Sequence, residues 1–257
     1  MPHIRRFAIS FITLLALSTV ALFISADTSQ AVVTFTSNRS QFVNDNPGLL
    51  LQTFESGNVA PGGLNGCATP VDSNSNDDCF SPGDILPGIA FSTEPDFGDT
   101  VLAGPFLFSN LNPAKVLLPD GSLQKSVITF PGNSVNVVGL ELGCLFDQGF
   151  GLPCTGQTFI IQVFGAGDAL LGETIVPVDS TFDTFVGITS DALIERITFI
   201  DADLVTQLSF NGVEKVYFTN VNIQRVPALS QWGIAVLAII LAASAIYMMR
   251  RKSAARA

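Results

Sequence analysis

The sequence predicts an all-β, antiparallel sandwich held between two apolar ends, and three observations carry that prediction. Twelve short runs rich in β-branched and aromatic residues recur with Gly, Pro, Asn, Asp and Ser between them. Only one short stretch between the two ends carries a helical signature, so no crossover helices are available for a parallel sheet. The long uncharged runs lie at the extremities, outside a central stretch of ordinary β character. The expected organisation is a signal segment over 1–31, a β domain over 32–225 and a tail over 226–257.

The β domain opens with "VVTFT" (32–36), followed by the one short helix, over 37–44, where Ser37 is placed to cap. "LLLQTF" (49–54) and "GIAFST" (88–93) flank a long turn-rich segment. "FLFSN" (106–110), "AKVLL" (114–118) and "SVITF" (126–130) follow at short spacing. "VNVVGLEL" (135–142) and "TFIIQVF" (158–164) alternate imperfectly, as strands buried on both faces do. "QVFGAGDALLG" reads as a hairpin into "LLGETIVPV" (170–178), with residues 165–168 supplying left-handed turn conformations. "FDTFVGI" (182–188), "LIERITFI" (193–200) and "EKVYFTNVNI" (214–223) complete the series.

The two ends address the chain. Arg5 and Arg6 precede an almost wholly apolar stretch, the order of a secretory signal, and small residues offer cleavage after Ala31 or, less favourably, after Ala26. An uncleaved N-terminal anchor is the alternative. Residues 233–249 carry no charge; as a helix they extend about 25 Å, close to a bilayer core of about 30 Å. Trp232 stands at one edge, and Arg250, Arg251, Lys252 and Arg256 follow without an intervening acid. These cations orient a single membrane span with the tail cytoplasmic and the β domain exported.

Composition limits what the exported part does. Between residues 32 and 226 there are six basic and 21 acidic residues, a charge of −15, which disfavours nucleic acid and anionic membrane as partners. The only histidine is His3, inside the signal. The domain is therefore left without imidazole for general-base catalysis, catalytic triads or histidine-ligated zinc. All four cysteines fall in the exported part, where thiols oxidise. Of the three pairings, the two local ones, Cys67 with Cys79 and Cys144 with Cys154, are favoured because each closes a turn-rich loop that burial alone would not order. The absence of any CxxC spacing argues against zinc.

Metal candidates are oxygen-based. "CATPVDSNSNDDC" places Asp72, Asn74, Asn76 and Asp78 at alternate positions, the hard-oxygen spacing a calcium loop uses. Asp77 stands where such a loop turns on Gly, and Gly83 where it wants a bidentate Glu, so a solvated acidic loop is the stronger reading. "DAD" (201–203) sets Asp201 and Asp203 on one strand face, either to bind a cation or to end a strand in water. "DFGD" (96–99) lacks every companion kinase motif and reads as a turn.

The phrase Val226-Pro227-Ala228-Leu229-Ser230-Gln231-Trp232-Gly233 resembles the Ile-Pro-Thr-Leu-Ser-Glu-Trp-Gly opening of IPTL-CTERM sorting tails, relatives of the PEP-CTERM tails of Gram-negative envelope proteins. Pro227, Leu229, Ser230, Trp232 and Gly233 match that pattern. The resemblance implies processing by an exosortase-like membrane protease and delivery to the cell envelope of a Gram-negative bacterium. Pro227 suits such processing, because it biases Val226 away from helix. The domain in turn resembles the jelly-roll modules that precede such tails, through "TFESG", "PGIAFST" and "FVGITSDALIERITF". That resemblance implies a jelly-roll-like sandwich in which Glu55 and Glu214 share a structural calcium, the one cofactor with candidate ligands here.

The function these features predict is a non-catalytic, envelope-sorted protein acting in surface architecture, adhesion or glycan contact. A carbohydrate-active enzyme using two carboxylates is the alternative, since six glutamates occur in the domain, though none lies in a paired motif.

Overall fold

The computed structural model describes residues 31–95, 99–107, 113–121, 123–132, 135–147, 154, 156–202 and 209–219. Contacts divide the chain into a unit ending at Asn220 and a second from Val221 to Ala257, and all described residues belong to the first. The expected signal up to residue 30, the motif over 226–233, the span over 233–249, Asp203 and residues 96–98 of "DFGD" lie outside the described residues.

Thirteen strands and one α-helix are described, with a short 3-10 turn over Ala166–Asp168: β1 (Val33–Thr36), α1 (Arg39–Asp45), β2 (Leu50–Thr53), β3 (Leu64–Cys67), β4 (Ala90–Glu94), β5 (Thr100–Ala103), β6 (Val116–Pro119), β7 (Lys125–Thr129), β8 (Val135–Asp147), β9 (Gln157–Phe164), β10 (Leu170–Val178), β11 (Thr184–Ile194), β12 (Arg196–Asp201) and β13 (Ser209–Phe218). They form two antiparallel sheets. The larger has the order β1-β11-β8-β13-β6-β5-β3, with β2 also paired to β13; the smaller runs β10-β9-β12-β7-β4. The described part is all-β apart from its short helix, and the two sheets make a β-sandwich around one shared core.

That core follows from the alternation in the strands. β9 buries Gln157, Phe159, Ile161 and Val163 and leaves the residues between them partly exposed. Phe91, Ile128, Ile197 and Phe199 join it from the smaller sheet, and Val138, Leu140, Ile188, Val216 and Phe218 meet them from the larger. Full burial of each large apolar side chain contributes about 1.5–3 kcal/mol.

The outer face of the larger sheet is also covered, which explains the imperfect alternation of "VNVVGLEL". Phe42 of α1, Val137, Phe185 and Tyr217 form a second cluster, and Phe182 packs with Val116, Leu118 and Leu145 in a third. Glycines make room for these rings. A Cβ at Gly143 would stand 2.6 Å from Phe182 Cγ, and one at Gly139 about 3.0 Å from Phe42 Cε1. Phe182 holds φ at 60°, a left-handed backbone unusual for an aromatic residue, and its complete burial offsets that strain.

Several expectations are corrected. The helix starts one residue later than Ser37 implies: Asn38 is the cap, its Oδ1 accepting the Gln41 N–H at 3.0 Å. Thr36 Oγ1 accepts the Asn38 N–H at 3.2 Å, and this fixes the entry. β3 and β5 were not among the twelve predicted runs. Conversely Phe106 and Leu107 of the predicted "FLFSN" strand lie in a turn, with Phe106 at φ 62°. The hairpin between β9 and β10 turns through Gly167 and Asp168, both left-handed, as its sequence requires.

Candidate functional site

The disulfide-closed loop is organised by Asp77, which sequence reasoning weighed only as a departure from a calcium loop. Cys67 and Cys79 are bonded, with Cα atoms 5.4 Å apart, and Cys144 and Cys154 are bonded at 6.0 Å. Both local pairings are therefore present. Inside the first ring, Asp77 Oδ1 accepts the N–H groups of Cys79 (2.8 Å) and Phe80 (2.9 Å), while its Oδ2 accepts that of Ala68 (2.8 Å). Asp72 Oδ1 accepts the Asn74 N–H at 2.7 Å, and the Asp78 carbonyl accepts from the Asn58 amide at 3.2 Å. Carboxylates here serve the loop's own backbone. Among the described residues no three His, Cys, Asp or Glu side chains are grouped to hold a metal ion.

The other expected pair, Glu55 and Glu214, does come into one electrostatic neighbourhood. Glu214 is the extra residue of a bulge in β13, between Val213 and Lys215, and is 7% exposed. Burial holds its carboxyl above the usual range. Lys215 opposes this shift, and the charges of Glu141 and Glu55 add to it. Two ammonium groups occupy the surroundings. Lys115 Nζ donates to the carbonyls of Glu55 (2.7 Å) and Gly57 (2.8 Å), and Glu55 Oε1 accepts the Lys115 N–H at 3.1 Å. Lys215 Nζ bridges Glu214 Oε1 at 2.5 Å and Glu141 Oε2 at 2.7 Å. Positive charge beside these acids is thus supplied by the chain itself.

Glu141 is the centre of this network. It is 3% exposed on the outer face of β8 and takes three donors: Lys215 Nζ, Arg39 Nε at 2.9 Å and the Tyr217 hydroxyl at 2.8 Å. Arg39 Nη2 also donates to Tyr217 Oη at 2.7 Å, with the guanidinium 5.7 Å from the Tyr217 ring centre. Burial and the neighbouring Glu141 charge raise the Tyr217 hydroxyl, against the pull of Arg39. For Lys215, burial alone would lower the ammonium, but the two carboxylates overcome it and the net shift is upward. The chain Arg39–Glu141–Lys215–Glu214 alternates in sign and sums to zero. It also ties α1 to the sheet. A Glu in the apolar run "VGLELG" was the available sequence signal, since a carboxylate in a strand buried on both faces demands partners.

Above this network lies an open groove of about 510 Å³, lined by Arg39, Ser40, Val43 and Asn44 of α1, Leu51 of β2 and Tyr217 of β13. On the smaller sheet, Arg196 pairs with Glu94 (2.7 Å) and Asp168 (3.0 Å) and stacks 4.2 Å from the Phe164 ring centre. Asp201 is 1% exposed, so it does not end its strand in water as its sequence suggested.

Residues 226–251 match the family model of the IPTL-CTERM motif. The chain carries an IPTL-CTERM tail. With two disulfides in the preceding domain, this tail points to an exported, envelope-associated protein. No curated protein matches the sequence. Among solved structures, a carbohydrate-binding module of the Cellvibrio mixtus lichenase 5A, in complex with cellotriose, is 8% identical. It has a TM-score of 0.23 over 51% of this chain and 86% of the module. An Arthrobacter globiformis isomalto-dextranase complexed with panose is 12% identical, again with a TM-score of 0.23, over 73% of this chain and 34% of that one. Scores this low carry no assignment of fold or function.

Proposed function

We propose that this protein is exported, sorted to the cell envelope through its IPTL-CTERM tail, and works there by non-catalytic contact of its jelly-roll-like domain with a glycan of the surface or matrix. The match of residues 226–251 to the sorting motif is the observation that carries the proposal. An exosortase-like protease is the processing partner, and the membrane is the intermediate station.

Chemistry supports contact over turnover. The domain has no histidine, so catalysis would fall to carboxylates. Glu141 and Glu214 share the Lys215 ammonium, and both carboxylates lie beneath the surface, unlike a pair poised to flank a glycosidic bond.

The test expresses the full chain with its native tail and compares it with W232A in the motif. Native protein is expected on the cell surface, accessible to added protease and bound by members of a glycan array. W232A is expected to stay unprocessed in the membrane. Retention of the native chain in the cytoplasm overturns the sorting reading. Hydrolysis of an oligosaccharide, abolished by a single Glu→Gln change, overturns the non-catalytic one.

A further inference from the structure

We infer that the groove above Tyr217 is a subsite for one unit of a neutral saccharide, an inference that rests on the glycan-contact reading and names where and what the domain binds. Its volume of about 510 Å³ falls within the span of about 300–1,000 Å³ typical of small-molecule sites.

Its walls divide into two kinds. Val43 and Leu51 are 37% and 44% exposed, a solvent-facing aliphatic surface flanking the groove. Ser40 and Asn44, four residues apart and so on one face of α1, are exposed and offer a hydroxyl and an amide to the groove. Arg39 spends Nε on Glu141 and Nη2 on Tyr217, which among the described residues leaves Nη1 for another acceptor. Hydroxyl, amide and guanidinium groups beside an aliphatic wall match a pyranose ring, which has an apolar C–H face and a rim of hydroxyls.

Charge selects within that class. The network under the groove sums to zero, whereas the domain as a whole carries −15, so a polyanionic sugar meets net repulsion. A cationic ligand finds Glu141 already saturated by three donors. A neutral saccharide is what remains.

The experiment titrates the full-length chain, in a detergent without a sugar headgroup, with neutral gluco-, manno- and galacto-oligosaccharides and with oligouronates, by calorimetry. The native chain is expected to bind at least one neutral series. S40A/N44A, two exposed positions whose circular dichroism is expected to be native, is expected to weaken that binding at least ten-fold, and T158A/Q162A on the smaller sheet to leave it unchanged. Neutral binding that survives S40A/N44A but is lost in T158A/Q162A overturns the groove while the glycan reading stands. A preference for oligouronates overturns the charge argument. Absence of binding across every series removes the glycan reading, and the groove with it.

Discussion

Replacing Lys215 with methionine keeps most of the side-chain volume and removes the ammonium that Glu141 and Glu214 share. Both carboxylates are at least nine-tenths buried, so the change leaves charge in a poorly solvated place. Breaking a buried pair from one side costs about 3–5 kcal/mol. Lys215 keeps 27% of its side chain in water, and Glu141 retains Arg39 and Tyr217, so the lower end, about 3 kcal/mol, is expected near pH 7. The loss depends on pH. Burial already holds the Glu214 carboxyl above its unfolded value, so its linked stability is complete in acid and falls as pH rises through the folded value. Without Lys215 that folded value climbs further, and the penalty grows towards neutral pH. The assay is urea unfolding of the disulfide-intact full chain followed by far-UV circular dichroism, at about pH 5 and about pH 8. K215M is expected to lose more stability at the higher pH. A loss below about 1 kcal/mol, or one identical at both values, would refute the claim that the ammonium neutralises a buried acidic pair.

Three further expectations use the same unfolding assay. G143A forces its new methyl group against Phe182, whose left-handed backbone leaves little freedom, and should cost about 1–3 kcal/mol; an unchanged midpoint would mean the ring yields. C67S/C79S opens the first ring and should cost about 3 kcal/mol, with little effect on the second. D77A removes the acceptor for three backbone N–H groups and should cost about 2–3 kcal/mol, clearly more than D72A or D78A; equal effects would contradict the assigned role of Asp77.

The fold was legible wherever alternation is local. β9 reads as a strand because its own residues alternate, and the β9–β10 hairpin because Gly167 supplies the turn. β3 was not legible: "LNGC" has weak strand preference and is a strand because β5 pairs with it and Cys67 is tied to Cys79. The choice of Asn38 over Ser37 as helix cap depends on where β1 ends, which its pairing with β11 decides. Cysteine pairing was legible because each pair brackets a turn-rich loop. The ionic network was not, since Arg39, Glu141 and Lys215 are far apart in sequence and meet only when α1 closes over β8 and β13. Glu214 was singled out by the jelly-roll resemblance, but its bulge, and hence its approach to Lys215, arises from the register between β8 and β13.

The most direct measurement is mass spectrometry of the protein recovered from its native envelope, digested without reduction. The account predicts an N-terminus at Val32, a C-terminus near the 226–233 motif, and cross-linked peptides joining Cys67 to Cys79 and Cys144 to Cys154. A chain retaining both ends, with its four thiols free to alkylate, would contradict it.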